Sequence, residues 1–146
     1  MSDKAPFDLT AEASFRRWHE VTIRYSDQDP MGHINNTAYA TYFEVARTRL
    51  LIDLQMRFPR PNLGFTLARI EIDYHKEAFF PGTVRVGGRM IAVGNKSLRT
   101  GYGMFLGDDC LATALCVNVC MDTSQRISQP LPADIRTFIA AEIGDK

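Results

Sequence analysis

One stripe of apolar residues constrains this chain more than any other feature. Tyr39, Phe43, Ala46, Leu50 and Leu54 recur at intervals of three or four, the spacing of one face of an α-helix. They predict a helix from about Thr37 to Gln55, which gives way at "RFPRPNLG", where two prolines end it. Around this helix the chain alternates with period two. "FRRWHEVTIRYS", from Phe15 to Ser26, reads as a strand with His19, Val21, Ile23 and Tyr25 on its more apolar face. "FTLARIEIDYHKEA" sets Thr66, Ala68, Ile70, Ile72 and Tyr74 against Arg69, Glu71 and Asp73. "TVRVGGRMIAV" and "SLRTGYGMFL" follow, separated by Gly94-Asn95, and a turn at Gly107-Asp108-Asp109 leads to "CLATALCVNVCMD". That last run is apolar on both faces, so it belongs inside the sheet. "PADIRTFIAAEI" reads as a short terminal helix with Pro132 near its start.

The order is one strand, one long helix, then four antiparallel strands. A sheet with a single long helix on one face is an α+β layer architecture. One helix covers only part of a sheet face, so the free face and edges point to a homo-oligomer that pairs or stacks sheets. Residues 1–14 are polar and read as a flexible N-terminal segment ahead of a single domain at 15–146.

Composition removes several functional classes. Lys plus Arg equals Asp plus Glu at 17 each, without the basic excess usual in proteins that grip nucleic acid. No segment approaches the roughly 18 apolar residues of a membrane span, and "MSDKAPFDLTAEASF" lacks the apolar core of a secretory signal. Cys110, Cys116 and Cys120 are an odd set in one apolar run, which suits buried free thiols in a reducing, cytoplasmic compartment.

The chemistry concentrates between the first strand and the helix, in "SDQDPMGHINN". Asp27 and Asp29 are turn carboxylates by type, and Asn35 or Asn36 suits a helix cap. Their combination carries more. A helix start offers unpaired N–H groups and a partial positive field, the elements of an oxyanion hole. Asp29, stiffened by Pro30 and beside Gly32, sits one short loop upstream, where a carboxylate attacks an acyl carbon or activates water. A metal site built from Asp27, Asp29 and His33 is the rival reading, but the spacing matches no metal motif. No metal or cofactor is expected.

The stretch Asp27-Gln28-Asp29-Pro30-Met31-Gly32-His33-Ile34-Asn35-Asn36, with Tyr39 and Phe43-Glu44-Val45-Ala46-Arg47, resembles the signature of the 4-hydroxybenzoyl-CoA thioesterase family. "ARIEIDYHKEAFFPGTVRVGGRM" and "GNKSLRTGYGMF" resemble its central strands. The resemblance implies the hotdog fold, a curved antiparallel sheet of about five strands wrapped around one long helix. It implies hydrolysis of acyl-CoA thioesters, with Asp29 on the position of the catalytic carboxylate and the Asn36 N–H on that of the amide that polarises the carbonyl. It also implies a homodimer or a dimer of dimers, with the site at the subunit interface. The His-x-Asn-Asn segment departs from the 4-hydroxybenzoyl-CoA enzymes themselves and resembles many bacterial acyl-CoA thioesterases.

The remaining candidates follow from these readings. His33 and Asn35 shape the loop or orient water. Asp27 and Glu44 are alternative carboxylates, and the preferred reading of Glu44 is a helix polar pair with Arg47 or Thr48, or an interface contact. Lys76, Arg85, Arg89, Lys96 and Arg99 are candidates for the CoA phosphates, and Tyr39 and Phe65 for the acyl pocket. The rival function is a non-catalytic acyl-CoA binding or sensing module on the same fold.

Overall fold

The computed structural model describes residues 7–144. Strand β1 (Arg17–Thr22) leads through a 3-10 turn (Tyr25–Asp27) and a loop into helix α1 (Asn36–Arg57). Strands β2 (Leu63–Tyr74), β3 (Thr83–Val93), β4 (Ser97–Leu106) and β5 (Asp109–Asp122) follow, then the two-residue β6 (Ile127–Ser128) and helix α2 (Ala133–Gly144). The long strands form one antiparallel sheet in the order β1-β3-β4-β5-β2, with β6 on β5. The architecture is the expected α+β hotdog: a curled antiparallel sheet around one long helix.

The stripe predicted for α1 is the buried face. Tyr39, Phe43, Ala46, Leu50 and Leu54 are all at most 3 % exposed. The first three pack with Val84, Val86, Tyr102, Met104, Ala112 and Cys116 on the concave sheet face. Leu50 and Leu54 join Met90, Leu98, Cys120 and, from α2, Ile135 and Ile139. Strand β5 lies between β4 and β2, as its two apolar faces required.

Three bulges bend the sheet, at Leu67/Arg69, Met90/Ala92 and Met104/Phe105. Each adds a residue to one strand, which raises local twist and switches side-chain phase. This corrects the simple alternation expected for β2. Leu63 and Phe65 pack on the α2 side of the core, whereas Ile70 and Ile72 pack beneath the start of α1. An odd step from Phe65 to Ile70 keeps both on one face only because Ala68 is bulged out.

The first strand is shorter than its pattern suggested. Backbone at Arg24 turns because its N–H donates to Asp27 Oδ2 (2.9 Å), and Tyr25, expected inside, is 76 % exposed. Of the segment expected to be loose, residues 1–6 lie outside the described residues. The described part packs: Leu9 is buried with Phe15, Ile91 and Phe105 on the convex face. Glycines make the room. A Cβ at Gly103 would stand 2.4 Å from the Leu9 carbonyl oxygen, and one at Gly87 would stand 2.6 Å from Phe15 Cγ. Glycine inside a strand marks close approach by another segment, and here that segment is residues 9–15.

Candidate active site at the strand–helix junction

Residues 27–35 form a small pinned hairpin. Gln28 and Ile34 bridge. The Asp29 N–H donates to His33 O, Gly32 N–H to Asp29 O (both 3.0 Å), and Asn35 N–H to Asp27 O (2.9 Å). Gly32 takes φ 88°, a left-handed value that glycine adopts without penalty. Ile34, 2 % exposed, donates its N–H to Ala78 O (2.8 Å), which ties the hairpin to the segment after β2.

The hairpin holds Asp29 in a defined pose. Its Oδ1 accepts the Met31 N–H (2.9 Å), the Asx-turn bond this residue type favours. Its Oδ2 stands 3.6 Å from His33 Nδ1, and the side chain keeps 17 % of its surface exposed. His33 Nδ1 also lies 3.1 Å from Ile34 O. A carbonyl only accepts, so Nδ1 carries the hydrogen in that bond, and Nε2 is the acceptor of a neutral ring.

The helix start is capped incompletely. Asn35 Oδ1 accepts the Thr37 N–H and the Thr37 hydroxyl (both 3.0 Å), and Asn35 O accepts the Ala38 N–H (2.9 Å). The Asn36 N–H has no acceptor among the described residues. Replacing Asn35 with Ala removes the cap and is expected to cost about 1 kcal/mol. Urea denaturation measures this, and a loss below about 0.3 kcal/mol would contradict the cap's role.

A cavity of about 360 Å³ opens at Asn36, and Asp29 is not among the residues that line it. The junction contributes His33, Ile34, Asn36 and Tyr39 to its wall. The end of β2 and the residues after it contribute Tyr74, His75, Lys76 and Glu77. Tyr74 donates its hydroxyl to Asn36 O (3.0 Å), and Tyr39 donates to Lys76 O (3.1 Å). The two rings sit 5.3 Å apart. His75 Nε2 lies 3.1 Å from Thr113 Oγ1.

Asp27 occupies a different place from Asp29. It is 6 % exposed, and Arg24 and Tyr42 saturate its carboxylate. Burial pushes this carboxyl up, but the bonds from the Arg24 backbone, the Tyr42 hydroxyl and the Arg24 guanidinium outweigh burial and hold it below the usual carboxylate range. Burial and the facing Asp27 carboxylate both push the Tyr42 phenol up. The metal reading loses its donors here: among the described residues no three His, Cys, Asp or Glu side chains gather.

The other candidates scatter. Glu44 is exposed and pairs with Arg47 (3.5 Å), in keeping with the helix polar pair. Phe65 packs against the second core cluster and lines a separate cavity of about 330 Å³ with Arg47, Leu51 and Gln55. Arg85 pairs with Glu12 and lies over Trp18. Arg89 donates to Ser14 O (3.0 Å) and lies 3.3 Å from the Phe7 ring centre. Both serve the convex face. Lys96 sits in the β3–β4 turn and Arg99 on β4. Of the five cations, Lys76 borders the junction cavity, where it pairs with Asp109 (2.7 Å). Burial pushes all three thiols up, Cys116 to about 11, which leaves them poor nucleophiles.

Tyr42, Tyr74, His75 and Glu77 escaped the sequence reading. Tyr42 fits the stripe's spacing, three residues after Tyr39 and four before Ala46, yet the stripe runs through its neighbour Phe43, and the other three read as a strand and its end. Only the docking of β2 beside the start of α1 gives Tyr74, His75 and Glu77 a wall shared with Tyr39, while Tyr42 lies in the core beneath Asp27.

A family model described as thioesterase-like superfamily matches residues 23–139. A thioesterase of Thermus thermophilus, solved in complex with coenzyme A and Zn, is 30% identical. The match covers 88% of this chain and 95% of that one, with a TM-score of 0.74. A predicted thioesterase of Bacillus stearothermophilus is 26% identical over 86% of this chain and 95% of its own, with a TM-score of 0.76. A 1,4-dihydroxy-2-naphthoyl-CoA hydrolase of Synechococcus elongatus is 23% identical over 88% of this chain and 96% of its own.

Proposed function

Because this chain belongs to the thioesterase-like superfamily and is a thioester hydrolase, we propose that it hydrolyses acyl-CoA thioesters to free acid and coenzyme A. The observation that carries this reading is a carboxylate and an unpaired amide at one junction. Asp29 is held by Met31 and flanked by His33, and Asn36, whose N–H has no acceptor among the described residues, borders a cavity. The thioester carbonyl oxygen accepts the Asn36 N–H, and the helix dipole adds to the polarisation. Asp29 then either attacks the carbonyl carbon, expelling the CoA thiolate and leaving a mixed anhydride for water to open, or takes a proton from a water that attacks directly. The coenzyme A bound by the Thermus relative and the CoA thioester cleaved by the Synechococcus relative support the CoA moiety.

Free-thiol release from a panel of acyl-CoAs tests the reading. Turnover of at least one is expected; none across aliphatic and aromatic acyl groups would sink it. Lys76, at the cavity rim, is the favoured phosphate contact. Lys76→Glu is expected to raise KM for a CoA thioester about 5-fold, the scale of one exposed charge contact, and to leave a short pantetheine thioester unchanged. Equal damage to both would remove Lys76 from that role.

The proposal includes a homodimer or dimer of dimers. Strands β1 and β2 are open sheet edges, and Ile52 and Met56 expose apolar surface on α1. Open edges and apolar helix faces are what a second copy covers. No helix of the described residues is long and apolar enough to cross a membrane.

A further inference from the structure

Asp27 is the most heavily bonded carboxylate at the junction, yet the proposed chemistry leaves it idle. Its Oδ2 accepts the Arg24 N–H (2.9 Å) and the Tyr42 hydroxyl (2.7 Å). Its Oδ1 accepts the Arg24 guanidinium through Nε (3.2 Å) and Nη2 (3.0 Å). Tyr42 is the buried partner of this latch, 2 % exposed on the second turn of α1, whereas Arg24, at the end of the path from β1, keeps 70 % of its side chain exposed. The Asp27 backbone extends the connection in both directions. Its N–H donates to Arg24 O and its O accepts the N–H of Asn35, the residue that caps α1 (both 2.9 Å). One residue further on, Gln28 bridges Ile34, and Asp29 follows.

The two groups of the proposed reaction therefore hang from one fixture. Asp29 is two residues downstream of Asp27. Asn36 adjoins the residue whose N–H Asp27 receives. We infer that Asp27 and Tyr42 are positioning residues, which set the Asp29 carboxylate against the Asn36 amide without touching substrate. This inference rests on the thioester reading of the site. A carboxylate with four donors and 6 % exposure has no free lone pair to offer a substrate. The Tyr42 bond does what the chain connection alone cannot: it anchors the loop to the body of the helix rather than to its fraying end. Charge matters as well as shape, since bonds to a carboxylate are the short, strong kind. The Asp27 carboxyl is held low and the Tyr42 phenol high, so acceptor and donor keep their forms at neutral pH.

Tyr42→Phe removes one hydroxyl and keeps the ring that packs against Tyr39 (6.4 Å between centres); Asp27→Asn keeps the shape and removes the charge. Two readouts are taken on each folded variant: kcat and KM by free-thiol release, and amide hydrogen exchange over residues 28–36. Expected are a 10- to 100-fold fall in kcat with KM within 2-fold, and exchange over 28–36 at least 10-fold faster, with β3–β5 unchanged. Unchanged kcat per folded molecule would overturn the inference, as would a loss that appears chiefly in KM, because that marks substrate contact. If the parent protein cleaves no thioester, the functional reading falls and exchange alone decides the latch. Faster exchange confined to 28–36 upholds it as the loop's anchor, and unchanged exchange removes it.

Discussion

Asp29→Asn is expected to lower turnover of the best acyl-CoA by about 1,000-fold while the protein folds as before. General acid–base groups contribute roughly 100- to 10,000-fold, and three decades correspond to about 4 kcal/mol of transition-state stabilisation. Folding should survive because Asn keeps the Oδ1 that accepts the Met31 N–H. The hairpin's backbone bonds do not involve the carboxylate and are unaffected: Asp29 to His33, Gly32 to Asp29 and Asn35 to Asp27. Asn can neither attack the carbonyl as a carboxylate nor take a proton from water, so either route is lost. KM should change little, since CoA binding does not depend on this side chain. Circular dichroism and denaturation establish the fold, and thiol release measures the rate. Turnover within 3-fold of the parent would remove Asp29 from the chemistry and leave Glu44 or a water held by other groups to explain it.

Phe43→Ala is expected to cost about 3–5 kcal/mol of folding stability, the range for emptying a large aromatic site in a core. Phe43 is fully buried where α1 crosses the concave face, with Tyr102 6.3 Å away between ring centres. Helix and sheet meet through this residue, and neighbours fixed on strands cannot close the hole. A domain of this size has about 5–15 kcal/mol in all, so the variant should unfold at markedly lower urea. The midpoint and slope of a urea transition measure the effect. A loss below about 1 kcal/mol would mean that α1 is not the centre of the core.

The helix and strand order were legible because they repeat. The period of α1 marked five residues of its buried face, though not Ala38 or Tyr42, and the two-faced apolar run of β5 marked its interior place. What could not be read depends on single departures from the pattern. The Ala68 bulge reverses the side-chain phase of β2. The Arg24–Asp27 bonds end β1 before Tyr25. The glycines of β3 and β4 make room for Phe15 and for Leu9, the latter in a segment that composition alone reads as loose up to residue 14.

The site divides in the same way. The candidates Asp29, His33, Asn35 and Asn36 lie within eight residues of sequence, so one short stretch raises them together. Tyr74 and His75 reach the cavity lined by His33 and Asn36 from the end of β2, 38 residues from Asn36 to Tyr74, and pairing register has no local signature. Long basic side chains are chosen by where the N-terminal segment lies. Arg85 and Arg89 meet Glu12, Ser14 and Phe7 on the convex face, whereas Lys76 borders the cavity.

Catalysis, rather than acyl-CoA binding alone, is the central claim, and one measurement meets it directly. An acyl-CoA taken from the panel is mixed with the protein in excess. Bound thioester, free thiol and free acid are then quantified over time in the same sample. The expected result is complete conversion, with thiol and acid released one for one and Asp29→Asn retaining the thioester bound and intact. Tight binding of intact acyl-CoA by the parent protein, with no thiol released, would contradict it.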